Sequence, residues 1–322
     1  MKEFDFIQAI KPSFYYQSSV IKGIGDDAAV VQPSMAGNMV ITSDSMVDGV
    51  HFTTDYMTFK DIGYRVLAAN ISDLIAMGST PTYYVVNVVV PNDVSQHQLV
   101  EAIDGMKELA SRYRMDLIGG DTVSGEQLMF SITAFGSVFA NKKRLRSDAK
   151  VGDLIFVTGN LGEAGYGLSL LQENKQDETY FINRHKRPTP RQGFIEAQKD
   201  LTRLCLNDIS DGISSELNEI AVASDVNMHI KREILPVHPN MKHLSKEGLD
   251  YFTLSAGEDF ELVGTCSKEE WNILKRNCEI NEVPITLIGE VTNKKNQPTV
   301  WLNNGREDLI LKSNGYQHRS ES

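Results

Sequence analysis

Cysteine is scarce in this chain: three residues in 322, Cys205, Cys266 and Cys278. None stands in C-x-x-C spacing, which removes a zinc ribbon or a dithiol redox pair. Three packing thiols in a reducing compartment are left, so a cytoplasmic location is expected. Positive charge is also short, with 32 Lys and Arg against 43 Asp and Glu, a net charge of -11. That balance excludes a general nucleic-acid binder, which needs a basic face. No run of about 18 apolar residues occurs, and Met1-Lys2-Glu3-Phe4-Asp5 opens without an apolar signal core, so neither a membrane span nor a secretory leader is expected. G-x-x-x-x-G-K-[S/T], the protein-kinase H-R-D and D-F-G motifs and a G-x-S-x-G elbow are all missing, which removes the P-loop, protein-kinase and α/β-hydrolase solutions.

What the chain has instead is carboxylate in a repeated setting. At 41% hydrophobic and 23% charged it is an ordinary globular composition, long enough for two domains. Gly23-Ile24-Gly25-Asp26-Asp27-Ala28 places two acids behind a flexible turn. Asp44 lies in Ile-Thr-Ser-Asp-Ser, Asp73 in Asn-Ile-Ser-Asp-Leu and Asp121 in Ile-Gly-Gly-Asp-Thr, while Asp208 and Asp211 lie in Asn-Asp-Ile-Ser-Asp-Gly. Each acid stands beside Gly or a hydroxyl residue, near the end of an apolar segment. Carboxylates repel phosphates unless a divalent cation lies between them. The pattern therefore points to carboxylates gathered around Mg2+ and a nucleotide polyphosphate.

Periodicity places these acids on elements. Glu3–Ile10 has helical spacing and Lys11–Lys22 reads as an aperiodic lead-in. Ala28–Val31 and Met39–Thr42 read as short strands. Phe59–Met77 is a helix with an apolar stripe through Ile62, Val66, Ala69 and Leu74, closed by Gly78 and Pro81. Thr82–Val90 is a strand by its β-branched and aromatic content. Asp93 or Ser95 caps the next helix, which buries Leu99, Ile103, Met106, Leu109 and Tyr113. Leu128–Val138 and Leu154–Thr158 are strands. Helices are expected through Leu171, over Phe194–Leu204, over Ile213–Ser224 and near Glu269–Arg276, and strands over Phe260–Thr265 and Ile285–Val291. Polar, basic 141–150 reads as a linker between domains 1–140 and 151–322.

Taken singly, each motif has two readings. Gly23–Ala28 formally fits G-x-G-x-x-A, but two Asp would repel a pyrophosphate on a helix N-terminus, and the residues that follow are strand-like. It is a polar turn or a metal loop. Thr42-Ser43-Asp44-Ser45, at a strand end, offers the oxygens that Mg2+ takes and is equally a turn or cap. His51 is a substrate contact or an ordinary surface His. Asp73 lies inside a helix, where Asp is a poor fit, three residues after Asn70: the two form a ligand-bearing face or a solvent-facing one. Gly119-Gly120-Asp121, after a short strand, lets a phosphate approach the backbone and a metal sit at Asp121, or is a plain turn. Asp208–Gly212 ends a strand and opens a helix whose first amides can receive a phosphate while both Asp bind Mg2+; an N-cap is the other reading. Ser255–Asp259 is an acidic turn or a ligand contact. Arg146 and the Arg184–Arg191 loop are natural partners for an anion, or a solvated basic loop.

The ordered set is more telling than its members. Ile24–Ala28 (IGDDA), Thr42–Phe52 (TSDSMVDGVHF), Ala69–Gly78 (ANISDLIAMG), Leu117–Thr122 (LIGGDT), Arg146–Asp153 (RSDAKVGD), Arg184–Pro190, Asp208–Ile213 (DISDGI) and Gly257–Leu262 (GEDFEL) follow one another over nearly the whole chain. In this the sequence resembles the thiamine-monophosphate kinase family, in the superfamily that includes aminoimidazole ribonucleotide synthetase and selenophosphate synthetase. The resemblance implies an α/β (α+β) fold of two domains: an N-terminal mixed sheet with helices that forms the interface of a homodimer, and a C-terminal α/β sandwich that completes the active site. It implies Mg-dependent transfer of the ATP γ-phosphate to thiamine monophosphate, with several Mg2+ ions. Carried over by motif, Asp27, Thr42, Ser43, Asp44, Asp73, Asp121, Asp208 and Asp211 are metal ligands; Gly120, Asp121, Arg146 and Ser210 contact ATP; His51, Glu258 and Tyr316 contact the thiamine substrate. The catalytic group is then Asp44, Asp73, Asp121 and Arg146. Ala256 stands where the family has Gly, and the aromatic residue that commonly follows His318 in the family is replaced by Arg319. The alternatives are a sister ATP-dependent ligase or synthetase, a metal-dependent phosphohydrolase, or a nucleotide-binding protein without turnover. Selenophosphate synthetase carries a reactive Cys or selenocysteine near its N-terminus, and the first Cys here is Cys205.

Overall fold

The computed structural model describes residues 3–24, 29–32, 37–175 and 178–315; Asp27 and Tyr316 lie outside them. The chain forms two units, Met1–Leu74 with Ser79–Ala140, and Ile75–Gly78 with Asn141–Ser322.

The first unit runs α1 (Glu3–Ile10), β1 (Val20–Lys22), β2 (Val30–Val31), β3 (Asn38–Val47), α2 (Phe59–Ala76), β4 (Thr80–Val90), α3 (Gln96–Tyr113), β5 (Asp116–Ser124) and β6 (Met129–Val138). β3, β6, β4 and β5 make a sheet in that order, mixed as expected: β4 and β5 are parallel, joined by α3, and the other pairs are antiparallel. Ser95 caps α3 through a reciprocal box with Gln98. Strand alternation sorts the sheet into two faces. Met46, Val86, Val88, Phe130, Ile132 and Ala134 are buried on one. Register places Thr42 opposite Ala134 and Asp44 opposite Ile132, on that same face. Ile41 and Val123 are about half exposed on the other, at 59% and 49%. There Ser43 meets Thr133 at 3.0 Å and Ser45 donates to Ser131 at 2.9 Å.

Two expectations change here. Thr42–Ser45 does not end a strand: β3 continues to Val47, so Asp44 lies mid-strand. Gly119-Gly120-Asp121 does not follow a short strand either, because β5 runs through it to Ser124. Neither segment has strong strand propensity; long pairing with β6 and β4 makes them strands. The lead-in 11–22 likewise ends in β1.

The second unit runs β7 (Leu154–Thr158), α4 (Glu163–Gln172), α5 (Thr179–Lys186), α6 (Gln192–Ala197), β8 (Cys205–Asp208), α7 (Ile213–Ser224), β9 (Asn227–Lys231), α8 (Lys246–Ser255), β10 (Leu262–Cys266), α9 (Lys268–Ile280), β11 (Ile285–Thr292), β12 (Val300–Asn303) and β13 (Asp308–Ile310). Its sheet has the order β13-β12-β9-β11-β7-β10-β8, with only β12 and β9 parallel. Ile155, Val157 and Val263 pack with Ile213, Leu217 and Ile220 of α7. On the other face Phe156 lies 6.0 Å from Phe194 of α6 and 6.2 Å from Trp271 of α9. Helices thus cover both faces, the expected α/β sandwich. The expected helix 194–204 is shorter and earlier, as α6. The basic stretch 184–191 is not a loop throughout, since Arg184, His185 and Lys186 form the last turn of α5, where cations suit the helix dipole. No described helix is long and apolar enough to cross a membrane.

Candidate active site

In the first unit β3 and α2 bring three of the expected ligands together. Thr42 Oγ1 donates to Asp73 Oδ2, and Asp44 shares a hydrogen bond with Asp73. Burial, the charge of Asp73 and that hydrogen bond push the Asp44 carboxyl up to about 7. Asn70 is fully buried one turn before Asp73; its Nδ2 donates to Val66 O at 3.3 Å, while its Oδ1 meets no donor. The expected common face of Asn70 and Asp73 is therefore an inward one at Asn70. Two carboxylates and a hydroxyl are hard oxygen donors, the set Mg2+ takes. Burial first and the charge of Asp73 second disfavour two ionised carboxylates here, and a divalent cation on these oxygens would offset both, so the residues fit the ion. Among the described residues no three His, Cys, Asp or Glu are grouped to hold a metal.

Ser43 lies on the opposite face of β3 from Thr42 and Asp44, against Thr133. Asp121 is exposed on β5, opposite Asn87 of β4, and its Oδ1 accepts the Thr122 amide at 2.8 Å. Gly120 beside it lies so close to β4 that any Cβ would meet the Val86 carbonyl. His51, in the turn after β3, accepts the Val47 amide at Nδ1 (3.2 Å), so a neutral ring carries its proton on Nε2. Its carbonyl accepts from Arg65 Nε at 3.2 Å.

In the second unit Asp208 is the buried last residue of β8 and Asp211 precedes α7. The amides of Ser210 and Asp211 are not open for a phosphate as expected: both donate to Glu216 Oε1, at 3.2 and 2.7 Å. Glu216 is buried in the first turn of α7 and its Oε2 meets no donor. Burial raises its carboxyl well above the usual range against the pull of the amides, and the charges of Asp208 and Asp211 add to the rise. Sequence reading missed Glu216; the available signal was an acid in the first turn of a helix that opens on Asp-Gly. Arg146 is about half exposed, with Nε donating to Asn207 Oδ1 at 2.9 Å and Nη1 3.4 Å from Glu219. Glu258 is held beside Ser210 by its own amide, 2.7 Å from the Ser210 carbonyl.

The other expected cations are engaged elsewhere. Arg184 Nε lies 2.9 Å from Glu163 Oε2 and its Nη2 3.0 Å from Glu261 Oε1. Arg191 grips Glu261 with Nε at 2.5 Å and with Nη2. Thr158 Oγ1 completes the ring of donors to Glu261 at 2.7 Å. Burial alone would raise the Glu261 carboxyl, but Arg191 and Arg184 hold it below its usual value. Reading Arg184 and Arg191 as partners for a bound anion is thus corrected: buried carboxylates already occupy them.

The chain is similar to known proteins over nearly its whole length. The family model described as AIR synthase related protein, N-terminal domain, matches residues 25–138, and its C-terminal counterpart matches 150–301. A thiamine-monophosphate kinase of Bacillus subtilis (strain 168) is 44% identical over 99% of both chains. The crystal structure of thiamine-monophosphate kinase from Stenotrophomonas maltophilia K279a superposes with a TM-score of 0.84 at 31% identity, covering 96% of this chain and 98% of that one. The structure of AaThiL complexed with AMPPCP and TMP gives 0.77 at 28% identity, over 98% and 97%. By its domains and its full-length relatives, the chain belongs to the thiamine-monophosphate kinase family of AIR synthase related proteins.

Proposed function

We propose that this protein transfers the γ-phosphate of ATP to thiamine monophosphate, giving thiamine diphosphate and ADP. The observation that carries the reading is the Asp44–Asp73 pair with Thr42, lying in a chain 44% identical to a thiamine-monophosphate kinase and similar in fold to AaThiL holding AMPPCP and TMP. The acceptor is itself a phosphate with a second pKa of about 6, mostly ionised at neutral pH, so no strong general base is needed. An acceptor oxygen attacks the γ-phosphorus as the bond to the β–γ bridging oxygen breaks, and ADP leaves in line.

The obstacle is charge. Two unit charges at 4 Å repel by about 4 kcal/mol at an effective dielectric near 20. Bound Mg2+ ions would neutralise the phosphate oxygens; Asp27, Thr42, Ser43, Asp44, Asp73 and Asp121 of the first unit are residues that would hold such ions, as are Asp208 and Asp211 of the second. Gly120, Asp121, Arg146 and Ser210 bind ATP. Arg146, fixed by Asn207 and Glu219, adds positive charge. His51, Glu258 and Tyr316 bind thiamine monophosphate. The half-exposed Ile41 and Val123 on the open face of the first unit's sheet support a homodimer through that face.

ADP release measured with ATP, Mg2+ and either thiamine monophosphate or thiamine tests the reading. Release that depends on thiamine monophosphate supports it. Release that ignores the acceptor marks a phosphohydrolase, and none from folded protein sends the search to the sister ligases.

A further inference from the structure

Glu258 and Phe260 both hold left-handed backbone conformations, with φ of 59° and 48°, and Asp259 stands between them. Residues with a Cβ avoid that region unless their surroundings over-determine it. Asp259 supplies the constraint. It is 2% exposed, and its oxygens accept the first amides of α4, Gly162 N on Oδ2 at 2.6 Å and Ala164 N on Oδ1 at 3.0 Å. Its carbonyl faces Arg184 Nη2 at 3.4 Å, from the guanidinium that also holds Glu163 and Glu261.

The inner side of the same loop is laced to the segment after β8. Glu258 N donates to Ser210 O at 2.7 Å, Phe260 N to Ile209 O at 3.0 Å and Ile209 N to Glu261 O at 2.7 Å. At Gly257, with φ 67°, a Cβ would run into the Ser210 carbonyl. The Glu258 backbone is therefore gripped from two directions, by α4 through Asp259 and by the Ile209–Ser210 backbone.

We propose that Asp259 is a positioning residue for Glu258: by tying its loop to the N-terminus of α4, it fixes how the Glu258 side chain is presented and so sets affinity for the phosphate acceptor. The proposal rests on the reading that Glu258 binds thiamine monophosphate. Asp259 itself has both carboxylate oxygens occupied by α4 and is not a ligand. A purely structural Asp259 would, when replaced, reduce the folded fraction and leave KM unchanged in what remains.

Steady-state kinetics on Asp259→Asn, with Glu258→Gln as reference, separates the cases. The expected result is a KM for thiamine monophosphate raised about tenfold in both variants, the worth of one misplaced hydrogen bond to a charged group, with KM for ATP nearly unchanged. Asp259→Ser, which keeps one acceptor for the α4 amides, replaces Asp259→Asn if that variant does not fold. An unchanged acceptor KM in folded Asp259→Asn or Asp259→Ser, beside a raised one in Glu258→Gln, overturns the positioning role alone. An unchanged KM in Glu258→Gln removes Glu258 from the acceptor site and overturns the proposal together with the reading it rests on.

Discussion

Asp44 of β3 and Asp73 of α2 share a hydrogen bond although nothing in the local sequence pairs them, and Thr42 Oγ1 donates to Asp73 on the same face of the sheet. Two acids at a half-buried site resist joint ionisation, which is why burial and Asp73 raise the Asp44 carboxyl to about 7. Such a pair costs stability at neutral pH and is suited to a divalent cation.

The first prediction concerns chemistry. Asp44→Asn removes one ligand charge and relieves the repulsion, so kcat falls by about 100- to 1,000-fold, the scale of losing one preorganised charge-stabilising group, while the melting temperature without metal holds or rises. Turnover kinetics and thermal melts on the same preparation check it. A normal kcat in the folded fraction with a lowered melting temperature would make Asp44 a structural residue.

The second concerns pH. The Asp44 carboxyl sits at about 7 in the fold against an ordinary 3.8. A raised carboxyl binds its proton more tightly when folded, so its stabilising share is complete below about 3.8 and is lost as pH rises through 7. In chelator-treated protein the melting temperature therefore declines from about pH 4 to about pH 7 and levels off above it, and Asp44→Asn flattens that decline. Added Mg2+ restores stability most at the alkaline end, because it binds the ionised pair.

The third tests the ring of charges around Glu261. Glu261 is fully buried, and Glu261→Gln leaves Arg184 and Arg191 without their shared carboxylate. Removing one partner of a buried ion pair costs about 3–5 kcal/mol. Urea unfolding should show a lower midpoint of that size, whereas a loss under about 1 kcal/mol would place the network in the class of surface pairs.

The fourth tests the loop contact. Gly257→Ala adds a Cβ against the Ser210 carbonyl at a position with φ 67°, and strain of this kind costs about 1–3 kcal/mol. The expected result is a lower urea midpoint with an unchanged m-value.

Much of the frame was legible because it rests on local signals. The β-branched run of β4, the apolar spacing of α2 and α3 and the Ser95 cap are properties of neighbouring residues. β3 and β5 were cut short in the sequence because their polar and glycine residues become strand only through pairing with β6 and β4. Arg184 and Arg191 looked like anion partners for a similar reason: the carboxylate they share lies 77 and 70 residues away, out of reach of any local reading. Glu216 escaped because an acid that ties loop amides looks in sequence like any surface acid, and Asp259 was legible only as part of an acidic turn; burial distinguishes both. The Asp44–Asp73 pair was within reach, since each acid stood out by its setting, but their union depends on α2 lying against β3.

The central claim is phosphate transfer between two phosphates at this site, and ³¹P NMR of the protein with ATP, Mg2+ and thiamine monophosphate tests it most directly. The account predicts thiamine diphosphate signals growing in step with ADP and without inorganic phosphate. Inorganic phosphate growing with ADP while thiamine monophosphate stays intact would contradict it.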